Sequence, residues 1–142
     1  MIPLPPEVTT QSEEETTALA RDMAAELHAG DVLLLSGNLG AGKTAFVRGL
    51  AEGLGILPEE ISSPTFTLVH EYRDGRLPIY HFDFFRLEDR RAAINLALDD
   101  YFFGDGISIV EWADRFSDLI PETGRWVRFE IGEGDQRRIG IQ

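Results

Sequence analysis

The sequence predicts an α/β protein: a three-layer αβα fold with a mixed, largely central parallel sheet and antiparallel hairpins. Three observations carry this reading. Val32-Leu33-Leu34-Leu35 and Ile107-Ser108-Ile109-Val110 are short aliphatic runs of the kind that forms parallel strands buried on both faces. Amphipathic helical stretches alternate with these runs. Two pairs of β-rich segments flank glycine-containing turns and read as hairpins. Strands alternating with helices require helices layered on a sheet.

The elements follow in order. Ser12 and Glu15 have the spacing of a capping box, and Glu13, Glu14 and Glu15 fall in the first helical turn, where carboxylates complement the helix dipole. Leu19, Met23 and Leu27 share one face of this helix, with Gly30 as the expected stop. After the strand at Val32–Leu35 comes a glycine-rich turn from Gly37 to Gly42. A helix from Lys43 to Leu54 carries Phe46, Leu50 and Leu54 on one face and is capped by Gly55. Phe66–Tyr72 and Pro78–Phe84 are β-rich, and Asp74-Gly75 between them signals an antiparallel hairpin. Asp89 to about Phe102 reads as one helix. Trp126–Ile131 and Arg138–Ile141 flank Gly132-Glu133-Gly134-Asp135 and read as a second hairpin.

Composition bounds the function. The chain has 142 residues, no repeat and no linker-like tract, which suits a single domain over 1–142. It has no cysteine, which excludes a disulfide scaffold, a thiolate zinc site and a cysteine nucleophile. No apolar run approaches the roughly 20 residues a membrane span needs, and the first residues lack the pattern of a signal peptide. The net charge of −12 opposes direct binding to nucleic acid or to anionic membranes. A soluble cytoplasmic protein is expected.

Gly37-Asn38-Leu39-Gly40-Ala41-Gly42-Lys43-Thr44 satisfies GxxxxGK[ST] in full. A chance match in a chain this long is on the order of half a per cent at average residue frequencies, so the motif decides the site. Glycines allow a concave turn whose amides point at phosphate oxygens, and the following helix adds the positive end of its dipole. Lys43 reaches the β- and γ-phosphates and the Thr44 hydroxyl can hold magnesium. Asn38, Leu39, Gly40, Ala41, Gly42, Lys43 and Thr44 are therefore the expected nucleotide-binding residues of a P-loop NTPase-like domain. Lys43 is also the single lysine among 13 basic residues.

Such a site needs a further acid, usually at the end of a neighbouring buried strand. Glu111 directly follows Ile107–Val110, and Asp83 follows Ile79-Tyr80-His81-Phe82. Spacing does not assign magnesium to one and the attacking water to the other. Ser62–Thr67 lies between the P-loop helix and the next strand, where nucleotide switches place a threonine near the γ-phosphate; Thr65 is that candidate. Trp112, beside Glu111, is either a buried aromatic or a site residue. His70 and His81 have no partner at metal-ligand spacing and read as core or surface histidines. Arg86, Arg90 and Arg91 form a basic cluster, read as an ion-paired face or a partner contact.

Taken together these blocks resemble the TsaE family, small P-loop ATPases of bacterial tRNA threonylcarbamoyladenosine synthesis. The resemblance rests on Glu14-Glu15-Thr16, Gly37–Thr44, Ser63-Pro64-Thr65-Phe66-Thr67, Tyr80-His81-Phe82-Asp83 ahead of Arg86-Leu87, and Val110-Glu111-Trp112, in that order. It implies ATP and Mg2+ as cofactors, with Thr44 and Glu111 around the metal, Glu111, Asp83 and Thr65 as the catalytic residues, and Trp112 at a switching position that also binds the nucleotide. It also implies TsaB and TsaD as protein partners, tRNA served only indirectly, and an ATPase weak alone. Where this family usually has a glycine, the chain has Ala97. The alternative from the P-loop itself is a small kinase of a metabolite or nucleotide, although no arginine-rich lid is evident. A non-catalytic nucleotide-responsive adaptor is a third reading. A Ras-like GTPase is disfavoured, because its guanine-recognition motif needs a second lysine.

Overall fold

The computed structural model describes residues 7–38, 41–56, 69–86, 90–95 and 97–141. Their strands form one sheet in the order β1-β7-β6-β2-β5-β4-β3. These strands are β1 (Glu7–Thr10), β2 (Val32–Ser36), β3 (Val69–Tyr72), β4 (Ile79–Asp83), β5 (Ile107–Glu111), β6 (Arg125–Ile131) and β7 (Arg137–Ile141). The helices are α1 (Glu13–Met23), α2 (Lys43–Gly53), α3 (Arg90–Asn95) and α4 (Leu98–Phe102). β6, β2, β5 and β4 are mutually parallel, and antiparallel hairpins complete both sides.

The central strands bury both faces because β2 and β5 carry aliphatic side chains in alternate directions. Leu33, Leu35, Ile107 and Ile109 join the helices α1 and α2 in one core. Val32, Leu34 and Val110 join Phe82, Phe84, Leu98 and Phe102 in the other. This is the expected three-layer arrangement. Each fully buried large apolar side chain contributes about 1.5–3 kcal/mol relative to exposure, so the two clusters hold the sheet between its helical layers. Phe46 of α2 meets Phe129 of β6 edge to face at 5.3 Å between centroids, which fixes the P-loop helix on the sheet.

Helix α1 starts as its sequence requires. Ser12 Oγ accepts the Glu15 N–H at 3.1 Å, and the Glu15 carboxylate accepts the Gln11 N–H at 3.2 Å. It ends earlier than expected. A 3-10 turn spans Ala24–Glu26 and Leu27 is already extended, so Gly30 is not the helix stop. Gly30 instead turns the chain into β2, in a loop where Asp31 accepts the His28 N–H. The Arg76 guanidinium reinforces this helix end from a distance: it donates to Ala24 O at 2.8 Å, which also accepts the Leu27 N–H, and to Leu27 O at 3.4 Å.

α1 and α2 approach closely because of Gly49. A methyl at that position would stand 2.7 Å from the Ala20 Cβ and drive into the Thr17 carbonyl oxygen. The missing side chain therefore sets the distance between the helix that begins at the P-loop and the helix whose start faces it.

Both hairpins form as expected, with Tyr72 opposite Ile79 and Ile131 opposite Arg137. Phe66, Thr67 and Leu68, the expected start of the third strand, lie outside the described residues. Three further features depart from the sequence reading. Glu7–Thr10 forms an edge strand on β7, too short and too polar to announce itself. Ala113–Leu119, which carries no clear helical or strand pattern, is wound as 3-10 turns. The single helix expected from Asp89 to Phe102 is broken: Ala97 sits at φ 54, ψ 52, between α3 and α4. The break redirects the chain so that Ala93 on one side and Leu98 and Phe102 on the other all reach the second core.

Candidate functional site

The P-loop follows β2 and leads directly into α2. Gly37 turns the chain out of the strand, and the Asn38 carbonyl accepts the Ala41 N–H at 3.0 Å. Leu39 and Gly40 lie outside the described residues, as does Thr65 with the segment around it. Gly42 caps α2 at φ 104, a left-handed conformation that a side chain would strain. Its carbonyl already accepts the first intrahelical bond, from Phe46. The amides of the first turn are thus exposed to the loop with Lys43 and Thr44 immediately behind it.

The two expected acids come to the same edge. β4 and β5 are parallel neighbours, and their register places Asp83 beside Glu111. Both emerge on the sheet face that carries α2, since they alternate with Phe82 and Val110 of the opposite core. Glu111 Oε1 lies 3.7 Å from Lys43 Nζ, and both side chains are nearly buried. Asp83 Oδ1 accepts the Phe85 N–H at 3.0 Å, which anchors the turn after β4. The Arg115 guanidinium holds the same turn by donating to the Phe84 and Phe85 carbonyls.

Sequence reasoning missed the role of His81. It is a core histidine, only 2 % exposed, but its Nε2 lies 2.7 Å from Glu111 Oε2. A carboxylate has no proton to donate, so Nε2–H is the donor. Burial pushes the Glu111 carboxyl up, yet the hydrogen bond and charge of His81 together with the Lys43 ammonium outweigh it and hold the group below its ordinary value. Glu111 is therefore kept as a carboxylate despite its burial. The strand period puts His81 on the same face as Asp83, two residues on, but its contact with Glu111 follows only from the pairing of β4 with β5. His70, by contrast, bonds Tyr72 Oη at 2.8 Å.

Trp112 is not a buried aromatic. It is 45 % exposed, takes a left-handed conformation at φ 61, and leans against Phe85 with ring centroids 5.1 Å apart. Its ring lies 5.4 Å from Lys43 Nζ, within cation–π range. The bend it makes directly after Glu111 ends the strand and puts the indole at the rim of the site. Of the basic cluster, Arg90 is exposed and ion-paired with Asp118.

These groups border a cavity of about 550 Å³. Its floor is the start of α2, from Gly42 to Ala45, and one wall is Asp83, Glu111 and Trp112. The first turn of α1, including Ser12 and Thr16, also lines it, on a helix that packs closely against α2 at Gly49. Asp135 and Arg137 of the second hairpin complete the lining. No local pattern marked those two residues; they arrive because β7 and β6 carry the hairpin round to the P-loop edge of the sheet.

A magnesium nucleotide fits this donor set. One ammonium and a helix N-terminus would suit phosphate oxygens, and a hydroxyl and two carboxylates lining the same cavity would supply hard oxygens to magnesium. A triphosphate nucleotide also matches the size of the cavity, which falls in the range of small-ligand sites. Among the described residues no helix is long and apolar enough to cross a membrane.

Sheet order, loop position and the paired strand-end acids define a P-loop α/β protein with its glycine-rich loop at the carboxyl edge of the parallel strands. The sequence matches the family described as "Threonylcarbamoyl adenosine biosynthesis protein TsaE" over residues 10–139, and the chain belongs to that family. It is 46% identical over 130 residues to the tRNA threonylcarbamoyladenosine biosynthesis protein TsaE of Bacillus subtilis, covering 92% of this chain and 80% of the relative. The protein of the same name from Aquifex aeolicus is 43% identical over 140 residues, covering 95% and 94%. The crystal structure of Bacillus subtilis YdiB matches with a TM-score of 0.79 at 41% identity, over 95% of this chain and 82% of that one.

Proposed function

We propose that the 142 residues work as one ATP-binding and ATP-hydrolysing switch domain required for the threonylcarbamoyladenosine modification of tRNA, acting with TsaB and TsaD in the cytoplasm. The observation that carries the enzymatic part is the convergence of Lys43, Glu111 and Asp83 on one cavity at the P-loop. Membership of the TsaE family supplies the pathway. The surplus of acidic residues fits a protein that serves tRNA through protein partners rather than by gripping its backbone.

In this reading the loop amides and the α2 N-terminus hold the phosphates, and Lys43 turns from Glu111 towards the β- and γ-phosphate oxygens. Thr44 and Glu111 hold magnesium, which when bound neutralises developing charge on the phosphates. Asp83 orients the attacking water. The water oxygen bonds to the γ-phosphorus as the bond from that phosphorus to the β–γ bridging oxygen breaks, leaving ADP and inorganic phosphate. Trp112 at the rim and Thr65 respond to the γ-phosphate and make the cycle a switch. The exposed Trp112 and Phe85 leave this rim open to water, which accords with weak hydrolysis by the chain alone.

The test is ATP hydrolysis by the purified chain with and without TsaB and TsaD. Low turnover alone and strong stimulation by both partners is the expected result. Stoichiometric phosphate transfer to a metabolite, or ATP binding without hydrolysis in the full set, contradicts it.

A further inference from the structure

We infer that His81 is a positioning residue: it clamps one oxygen of Glu111 so that only the other is presented to the magnesium nucleotide. The inference rests on the ATPase reading above. Glu111 has two carboxylate oxygens in different surroundings. Oε2 is 2.7 Å from His81 Nε2, and Oε1 is 3.7 Å from Lys43 Nζ. Without the histidine the carboxylate could rotate about its last torsion, which is broad and roughly two-fold, and offer either oxygen or both.

The clamp is built rigidly. His81 stands in the middle of β4, paired with Ile109 of β5 on one side and with His70 of β3 on the other. Ile79, two residues back on the same face of β4, and Ile109, beside it on β5, are fully buried, and His81 itself is only 2 % exposed. The ring therefore has no room to swing away, and the hydrogen bond spans two parallel strands whose register is set by their backbones. His81 Nδ1, meanwhile, finds no hydrogen-bond partner among the described residues. A buried imidazole that leaves one nitrogen unsatisfied is costly for stability, and an apolar side chain would fill this core position more cheaply. Retaining the imidazole makes sense if the bond made by Nε2 is what the position requires. Partners that orient a metal-binding side chain in this way are worth about 10–100-fold in affinity or activity.

His81→Gln and His81→Asn separate this role from simple packing. The glutamine amide nitrogen reaches the position of Nε2, whereas the shorter asparagine amide stands near Nδ1 and leaves Oε2 without a donor. Calorimetry on the full chain measures ATP affinity with and without magnesium. The magnesium-dependent gain is expected to persist in His81→Gln and to fall about tenfold or more in His81→Asn, with magnesium-free affinity within about twofold of wild type in both. A histidine that merely packs would lower the melting temperature and both affinities together. Full retention of the magnesium gain in His81→Asn, or equal loss in two folded variants, overturns the proposal. A second measurement needs no substitution at His81: its ring 15N shifts, recorded without nucleotide, are expected to change in Glu111→Gln. Unchanged shifts also overturn it. A wild-type chain that binds no ATP refutes the ATPase reading instead, and the 15N shifts still decide the link between His81 and Glu111.

Discussion

Lys43 Nζ and Glu111 Oε1 stand 3.7 Å apart, joining the first residue of the P-loop helix to the last residue of β5. Each neutralises the other at a nearly buried position where an isolated charge would be costly. The pair keeps the site charged and ready, and phosphate oxygens can replace the carboxylate as the lysine's partner.

Lys43→Ala removes the one point cation of the loop. ATP affinity is expected to fall at least about 100-fold, or about 2.7 kcal/mol, because charge-assisted bonds to phosphate are lost. Calorimetric titration with ATP measures this, and unchanged affinity would show that the phosphates are held elsewhere.

Gly49→Ala tests how the cavity wall is set. The added methyl meets Ala20 and the Thr17 carbonyl, so α1 must move away from α2. Overpacking of this kind costs about 1–3 kcal/mol. It also shifts Ser12 and Thr16 relative to the P-loop, so both thermal stability and nucleotide affinity should fall. A variant as stable as wild type would mean that the two helices are not in tight contact there.

The P-loop and Glu111 are legible in the sequence because their signals are local: a glycine pattern between strand and helix, and an acid ending an aliphatic run. Asp83 is legible for the same reason, and the parallel pairing of β4 with β5 then brings it to Glu111. His81, Asp135 and Arg137 are not legible in this way. Their place depends on which strands are neighbours and in what register, which local pattern does not encode. The edge strand Glu7–Thr10 likewise takes its conformation from β7 rather than from its own residues. The helix expected from Asp89 to Phe102 fails because two buried patches on one chain segment need a change of direction that helical periodicity cannot report.

That break yields its own prediction. Ala97 at φ 54 carries a Cβ in a backbone region that costs an L-residue roughly 1–2 kcal/mol. Ala97→Gly removes the strain at the expense of a more flexible unfolded chain. A net gain of roughly 0.5–1 kcal/mol is expected, read as a rise of about 1–4 °C in melting temperature. A fall would mean that α3 and α4 join through a different backbone conformation.

Hydrolysis of ATP at the Lys43–Glu111–Asp83 edge stands or falls with Glu111→Ala assayed in the presence of TsaB and TsaD. Circular dichroism is expected to show an intact fold, while stimulated ATP turnover drops about 100-fold or more, the scale seen when a group that stabilises transition-state charge is removed. Full turnover by the folded variant would take Glu111 out of the site and show that ATP is hydrolysed without this edge.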